Sequence, residues 1–340
     1  MEWKQTNESV TFSFQVAPSN LTLGYELCKV TDTKIMFRII FKDDTIAYEL
    51  NIGAALEWPP TWTRNLITMK AEFTFTKREK MPWPNYGTHV LVDAMVECGL
   101  EFREYQVISN EPLSNLTHLL VVRPKDFLQI VPIGRCVLAQ LSLRSTTSRP
   151  YNPVPPCLHP DDMASNYTTD CLCFMIKKYP DGALSPSITA LQVGQTLHLS
   201  QSVGSFAIGN YDNFSVIHML AAGTGLTVML GIIQRALVRG RMRTINLLHF
   251  NKDEESIFYE QQLEKISGQK LKVTHILSQP KSTWTGKRGM VSRRLLKALV
   301  GKRNPDACVF ICGPKLFSQN AQRYLRYQLG WKPHQMYQFE

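Results

Sequence analysis

The sequence predicts a multidomain chain: an N-terminal β-sandwich, then an antiparallel β-barrel, then a doubly wound α/β domain. Three observations carry this reading. Alternating and β-branched runs recur at short intervals over residues 1–78. Prolines and glycines punctuate further strand-like runs over residues 101–210. From Phe214 onward the pattern changes to strand–helix alternation, as in a parallel sheet covered by helices. At 340 residues the chain exceeds what one core holds. Domains are expected at 1–78, 101–210 and 211–340, with a linker over 79–100.

In the first segment, residues 10–16 (V-T-F-S-F-Q-V) and 71–76 (A-E-F-T-F-T) alternate, and residues 34–41 are β-branched and aromatic. Turns at Pro18-Ser19-Asn20 and Lys42-Asp43-Asp44 separate such runs. The linker opens with Met81-Pro82-Trp83-Pro84-Asn85, whose prolines oppose regular helix. Trp83, Val90, Leu91, Val92 and Met95 predict that it packs, and Gly87 and Gly99 mark turns. In the second segment, residues 105–108, 119–122, 137–143 and 172–176 read as strands of a six-stranded barrel. In the third, strands are expected at 216–222, 244–250, 271–277 and 307–312, and helices at 228–237, 258–266 and 292–300.

Composition narrows the class. No apolar run reaches the ~18 residues of a membrane-spanning helix, and the N-terminus lacks the order of a secretory signal. The 8 cysteines show no C-x-x-C pairing, so zinc and a disulfide framework are not expected, and reduced thiols imply a cytoplasmic setting. The net charge of +10 is uneven: residues 1–100 carry 10 Lys+Arg against 12 Asp+Glu, so the basic excess lies downstream. That asymmetry fits an anionic cofactor or an acidic protein partner as well as it fits a solvated surface. No aromatic-rich basic motif accompanies it, so nucleic acid is not expected.

Two motifs answer each other. In Arg149-Pro150-Tyr151-Asn152-Pro153-Val154, an Arg and a Tyr are fixed by prolines, Arg149 just before Pro150 and Tyr151 between Pro150 and Pro153. Such a pair can hold a flavin, with the cation on its phosphate and the phenol along its ring. Downstream, Ala221-Ala222-Gly223-Thr224-Gly225 follows an apolar run and opens a helix. Glycines there leave backbone N–H groups free to meet a dinucleotide phosphate. Cys312-Gly313-Pro314 follows a third apolar run.

Residues 101–340 thereby resemble the ferredoxin–NADP reductase superfamily, and within it the cytochrome b5 reductases. The opening Trp3-x-Gln5-Thr6 followed by V-T-F-S-F resembles the CS domain, the fold of the co-chaperone p23. The combination is similar to the fused cytochrome b5/b5-reductase type, NADPH cytochrome b5 oxidoreductase. In that type a heme domain comes first; its H-P-G-G motif is not in this sequence, and Leu158-His159-Pro160-Asp161 is no substitute.

The resemblance implies FAD, with Arg149 on the pyrophosphate and Tyr151 along the isoalloxazine. It puts Asn152 near flavin N5, where the family usually has Thr or Ser. Lys177 and Tyr179 take the contacts of the second flavin strand, and Gly182-Ala183-Leu184-Ser185 matches the turn that receives pyrophosphate. Only Gly204 remains of a later G-P-x-G turn. Gly223, Thr224 and Gly225 would receive the nicotinamide dinucleotide, although Thr227 is followed by Val228 rather than the family's Pro. Cys312, Gly313 and Pro314 would lie where nicotinamide meets flavin. Asn251 and Asp253 would face the adenosine ribose; an acid there favours NADH, while Lys252 keeps NADPH open.

The residues so placed at the reacting ring are Tyr151, Asn152, Lys177 and Cys312. The implied chemistry is hydride transfer from nicotinamide C4 to flavin N5, then release of single electrons to an external heme protein. Residues 235–303, with 16 Lys+Arg against 5 Asp+Glu, would supply the docking face, with Arg293 and Arg294 on it. The CS-like segment would bind a protein partner or cap the reductase. The location implied is the cytoplasm, including the cytosolic face of the endoplasmic reticulum. The rival reading is a non-catalytic CS-domain adaptor carrying a degraded reductase, motivated by Asn152, Gln201-Ser202-Val203 and Val228. The C-terminal Tyr337-Gln338-Phe339-Glu340 is expected as an exposed tail.

Overall fold

The computed structural model describes residues 1–15, 22–41, 45–68, 70–92 and 100–339. The turns expected at Pro18-Ser19-Asn20 and Lys42-Asp43-Asp44, together with Met95, Cys98, Gly99 and Glu340, lie outside the described residues. The first strands are β1 (Glu2–Gln5), β2 (Ser9–Gln15), β3 (Thr22–Thr31), β4 (Lys34–Phe41), β5 (Thr45–Ile52), β6 (Thr61–Arg64), β7 (Lys70–Thr76) and β8 (Gly87–Val92). One sheet runs β1-β2-β7-β6, and β3-β4-β5-β8 face it in a second. Alternation puts Val10, Phe12, Phe14, Ala71, Phe73 and Phe75 inward, where they meet Tyr25, Leu27, Ile35 and Phe37. Phe14 stacks on Phe37 with ring centroids 4.1 Å apart. This is the β-sandwich that the alternation predicts.

The segment expected as a linker contributes to this sandwich. Trp83 is buried in its core, and β8 pairs with β5 from Ala47↔Val92 to Ile52↔Gly87. As an edge strand β8 has one neighbour and is exposed along most of its length. It therefore has no need of the alternating pattern by which a strand is read.

The barrel segment contains β9 (Phe102–Pro112), β10 (Thr117–Pro124), β11 (Phe127–Ile130), β12 (Cys136–Gln140), β13 (Arg149–Tyr151), β14 (Leu172–Lys177), the short helix α1 (Ser185–Thr189) and β15 (Thr196–Val203). Six of these strands form an antiparallel sheet in the order β13-β12-β15-β9-β10-β14. It closes where Val154 bridges Cys173, the Val154 N–H donating to the Cys173 carbonyl at 2.8 Å. Strand β11 leaves this sheet and pairs instead with β3 of the sandwich, from Phe127↔Cys28 to Ile130↔Tyr25. Leu128 and Ile130 are buried in the sandwich core.

Charge reinforces the shared strand. Glu26, buried on β3, accepts from Arg38 on β4 and forms an ion pair with Arg103 on β9, each at 3.1 Å. The Arg103 guanidinium lies over the Phe127 ring at 4.9 Å. On the far side of the sandwich, Trp62 donates to the Thr169 carbonyl, and Arg235 donates to the Leu66 carbonyl at 2.9 Å. The sandwich is thus bonded to both other units.

The third unit comprises β16 (Val216–Ala222), α2 (Leu226–Val238), β17 (Thr244–Asn251), α3 (Glu260–Ile266), β18 (Leu271–Leu277), β19 (Lys287–Arg288), α4 (Arg293–Leu299), β20 (Ala307–Cys312), α5 (Lys315–Arg323) and β21 (Met336–Gln338). Its sheet is parallel in the order β19-β18-β17-β16-β20-β21. The chain runs outward from β16 to β19 and returns to β20 on the other flank. The crevice between the ends of β16 and β20 is therefore a topological switch point. The C-terminal tail is not exposed as expected: β21 pairs with β20, and Phe339 is buried against Phe206 and Phe310. Apolar aromatics at alternate positions 337 and 339 cover an otherwise open sheet edge.

Removing the Glu26 carboxylate would leave two guanidinium groups facing each other beneath the shared strand. Glu26→Ala is expected to lower unfolding stability by about 3 kcal/mol, measured by denaturant titration. A loss below about 1 kcal/mol would mean that solvent reaches the pair.

Candidate functional site

One wall of the site comes from the barrel. Pro150 within β13 and Pro153 after it keep the strand to three residues at the barrel's edge, and pairing with β12 fixes Arg149 opposite Ala139 and Tyr151 opposite Val137. Arg149 stays exposed. Tyr151 is half-buried, and burial pushes its phenol up to about 12, so it remains protonated. Asn152 donates one side-chain N–H to the Arg135 carbonyl at 3.1 Å, which anchors it to the barrel. At the end of β14, burial lowers the pKa of the Lys177 ammonium while the Asp253 carboxylate opposes that shift. Tyr179 follows, its N–H donating to Ser185 Oγ at 3.2 Å; a hydroxyl that accepts there still has its own proton to donate.

The other wall comes from the parallel sheet. Gly223, at φ +53°, begins a tight turn through Thr224 and Gly225 that leads directly into α2. Gly225 has no alternative: a Cβ there would lie 2.2 Å from the Cys312 carbonyl oxygen. Helix α2 starts at Leu226 without the proline that the family resemblance anticipates, and Thr227 Oγ1 donates back to the Thr224 carbonyl at 2.9 Å. At the end of β17, Asn251 is 8% exposed and lines the cleft, and neither its Nδ2 nor its Oδ1 has a hydrogen-bonding partner among the described residues. Burial raises the Cys312 thiol to about 12.

The walls enclose a cleft of about 840 Å³, within the range of ligand sites. Arg149, Tyr151, Asn152, Lys177, Tyr179, Gly182, Ser185, Gly223, Thr224, Gly225, Asn251, Cys312, Gly313 and Pro314 all line it. Asp253 does not. Its carboxylate accepts from the Ser256 N–H at 3.0 Å and the Ser256 hydroxyl at 2.7 Å, capping the turn over Glu254–Ser256. The D-x-x-S spacing carries that cap. Lys252 and Ser278 line the cleft at this end instead. Gly204 also lies outside the lining; its carbonyl accepts from Arg135 at 2.8 Å.

Sequence reasoning passed over Met175, Phe250, Met290, Val291, Leu316 and Phe317, which supply apolar surface to the cleft. No motif marks them, because any apolar side chain of suitable size fills such positions. The expected basic face is also weaker than its count of charges. Arg235 pairs with Asp212 through both terminal nitrogens, and Arg239 donates to the Asp212 carbonyl. Both are committed to holding α2 in place. Arg293, Arg294 and Lys297 on α4 remain exposed.

A thiol whose pKa is raised is neutral at every pH below it, so Cys312 gains no nucleophilic character between pH 7 and 9. Its alkylation by iodoacetamide at pH 8 should run at least about tenfold slower than that of a free thiol, measured by mass spectrometry. Rapid alkylation would contradict the burial that the cleft requires.

Residues 219–323 match the Oxidoreductase NAD-binding domain family. The chain is 30% identical to human cytochrome b5 reductase 4 over 354 residues, covering 99% of this chain and 67% of that protein. It is 30% identical to the mouse protein over 344 residues, 95% of this chain and 64% of the relative. The chain thus spans about two thirds of the length of these relatives. Among solved structures, the CS-b5R domains of human Ncb5or in the NAD+ form superpose with a TM-score of 0.74 at 29% identity, over 100% of this chain and 99% of that one. The cytochrome b5 reductase domain of Ulva prolifera nitrate reductase shares the fold of 70% of the chain at 20% identity, with a TM-score of 0.59. A sandwich bonded to a barrel and a parallel sheet, with these relatives along its whole length, belongs to the cytochrome b5 reductase family in the form where a CS domain precedes the reductase.

Proposed function

We propose that the chain is a flavin-dependent oxidoreductase that takes hydride from NADH or NADPH onto FAD and passes single electrons to an external heme protein. The observation that carries this is the convergence of two independent walls, Arg149 and Tyr151 on one and Gly223 to Gly225 with Cys312 on the other, onto one cleft. The cleft suits FAD in its chemistry. It offers a guanidinium for phosphate, a neutral phenol for a ring face, and buried amide atoms on Asn251 that lack a partner among the described residues. Bound FAD would supply the conversion between two-electron and one-electron transfer.

The residues divide the remaining work. Arg149 and the Ser185 hydroxyl meet the pyrophosphate. Tyr151 lies along the ring as a phenol, and Asn152, anchored by Arg135, offers its second N–H near N5. Lys177 holds positive charge where negative charge develops. The turn from Gly223 to Gly225 takes the dinucleotide phosphate at the start of α2. Cys312 and Gly313 shape the floor where nicotinamide meets flavin, and Asn251 takes a ribose hydroxyl. With Asp253 committed to Ser256 and Lys252 in the lining, the acid-based preference for NADH loses its support, and NADPH is accepted too.

The heme protein docks at the cleft mouth. Gly289, Met290 and Val291 line the cleft, and exposed Arg293 and Arg294 follow directly on α4. The CS-like sandwich serves a protein partner, in the cytoplasm or at the cytosolic face of the endoplasmic reticulum. The adaptor alternative gains nothing from its three motivating positions. Asn152 is anchored at the cleft, α2 begins without a proline, and residues 201–203 lie on β15, outside the lining.

The test is the visible spectrum of the FAD-supplied protein before and after anaerobic NADH. Flavin bands that bleach support the reading; protein that retains no flavin contradicts it. Arg293→Glu combined with Arg294→Glu should leave bleaching unchanged and slow heme reduction by about tenfold at low salt, with a weaker salt dependence. Unaltered heme reduction would remove α4 from the docking face.

A further inference from the structure

His249 is a fully buried titratable residue on β17 to which no role above is assigned. Its Nε2 lies 3.2 Å from the carbonyl oxygen of Gly223, the first residue of the dinucleotide turn. A carbonyl can only accept, so Nε2 carries the hydrogen and the ring is the Nε2–H tautomer. Nδ1 then holds a lone pair that is buried and has no hydrogen-bonding partner among the described residues. Phe258 meets the ring edge to face at 5.6 Å, and His275 on neighbouring β18 lies 5.5 Å away. Burial, helped by His275, pulls the imidazole pKa down to about 3, so the ring is neutral wherever the protein is folded and working.

The Gly223 carbonyl receives a second donor, the Leu226 N–H at the start of α2. Two donors on one oxygen fix the plane of the peptide joining Gly223 to Thr224. In a trans peptide the carbonyl and the following N–H point in opposite directions. Drawing the carbonyl toward buried His249 therefore turns the Thr224 N–H the other way, and Thr224 lines the cleft. Gly223 sits at φ +53° with no atom of the described residues within 4 Å of where a Cβ would be, so its own backbone offers little resistance to a flip of this peptide.

We propose that His249 is a positioning residue for the nicotinamide dinucleotide: its Nε2–H pins the Gly223–Thr224 peptide and presents the Thr224 N–H to the phosphate. The proposal rests on the nucleotide reading of the cleft. It assigns to this chain a support beneath the glycine turn that the turn's own sequence does not reveal.

The test is calorimetric titration of the oxidised, flavin-loaded protein with NAD+, which binds without turnover. His249→Phe keeps a ring of similar size and removes the donor; NAD+ affinity should fall roughly tenfold. His249→Gln sets an amide N–H near the Nε2 position and should restore most of that loss. Both variants should keep the parent's FAD content and melting midpoint, a pattern that a purely structural role would not give. His249→Phe binding NAD+ as tightly as the parent, or both variants weakening alike, overturns the proposal. Should His249→Phe fail to fold, nitrogen-15 labelling of the parent's histidines decides. A slowly exchanging Nε2–H that shifts on adding NAD+ supports the role, and an Nδ1–H tautomer or an unmoved signal overturns it. A parent that binds no NAD+ removes the nucleotide reading and this proposal together, whereas a binding parent with an indifferent His249→Phe removes this proposal alone.

Discussion

The contact between Gly225 and the Cys312 carbonyl is the constraint on which the cleft depends. It joins the ends of β16 and β20 where the parallel sheet reverses its order, and no side chain fits between them. That closeness sets the glycine turn of residues 223–225 directly beside the end of β20. The same turn is supported from behind by His249 and continued by Thr227, so backbone rather than side chains forms the floor of this wall. Backbone suits a site for phosphate, since its donors are fixed by the fold and need not be ordered when a ligand arrives.

A second constraint ties the sandwich to the reductase. Strand β11 begins and ends in the barrel's stretch of chain yet pairs in the sandwich's sheet, and the buried Glu26 links β3, β4 and β9 through two guanidinium groups. Trp62 and Arg235 add contacts to the other units from the opposite side. A module merely tethered to an enzyme would share no strand with it. In this chain, displacing the sandwich means breaking a hydrogen-bonded ladder and uncovering a buried charge. The sandwich therefore belongs to the frame that holds the cleft.

Much of this was legible in the sequence because the physics involved is local. Residues 34–41, 216–222, 271–277 and 307–312 read as strands and are β4, β16, β18 and β20. The prolines around Tyr151 and the glycines around Thr224 mark the two walls through backbone requirements that few other residues meet. What escaped was set by distant partners. Strand β8 is an exposed edge, β11 is four residues long and pairs far from its sequence neighbours, and β21 covers a sheet edge. Asp253 was read as facing a ribose because an acid follows β17; the Ser256 three positions on, which takes its carboxylate, was the missed signal. His249 gave no signal at all, since a lone histidine in an apolar strand looks like any core residue.

In the proposed reaction flavin and nicotinamide lie against each other in this one cleft, close enough for direct hydride transfer. Anaerobic stopped-flow bleaching of the flavin by NADH, compared with NADH carrying deuterium at C4, tests it most directly. Slower bleaching with the deuterated coenzyme is the predicted result, because the C4–H bond breaks in the step observed. Bleaching at the same rate with both, at saturating coenzyme, or none with either, would contradict it.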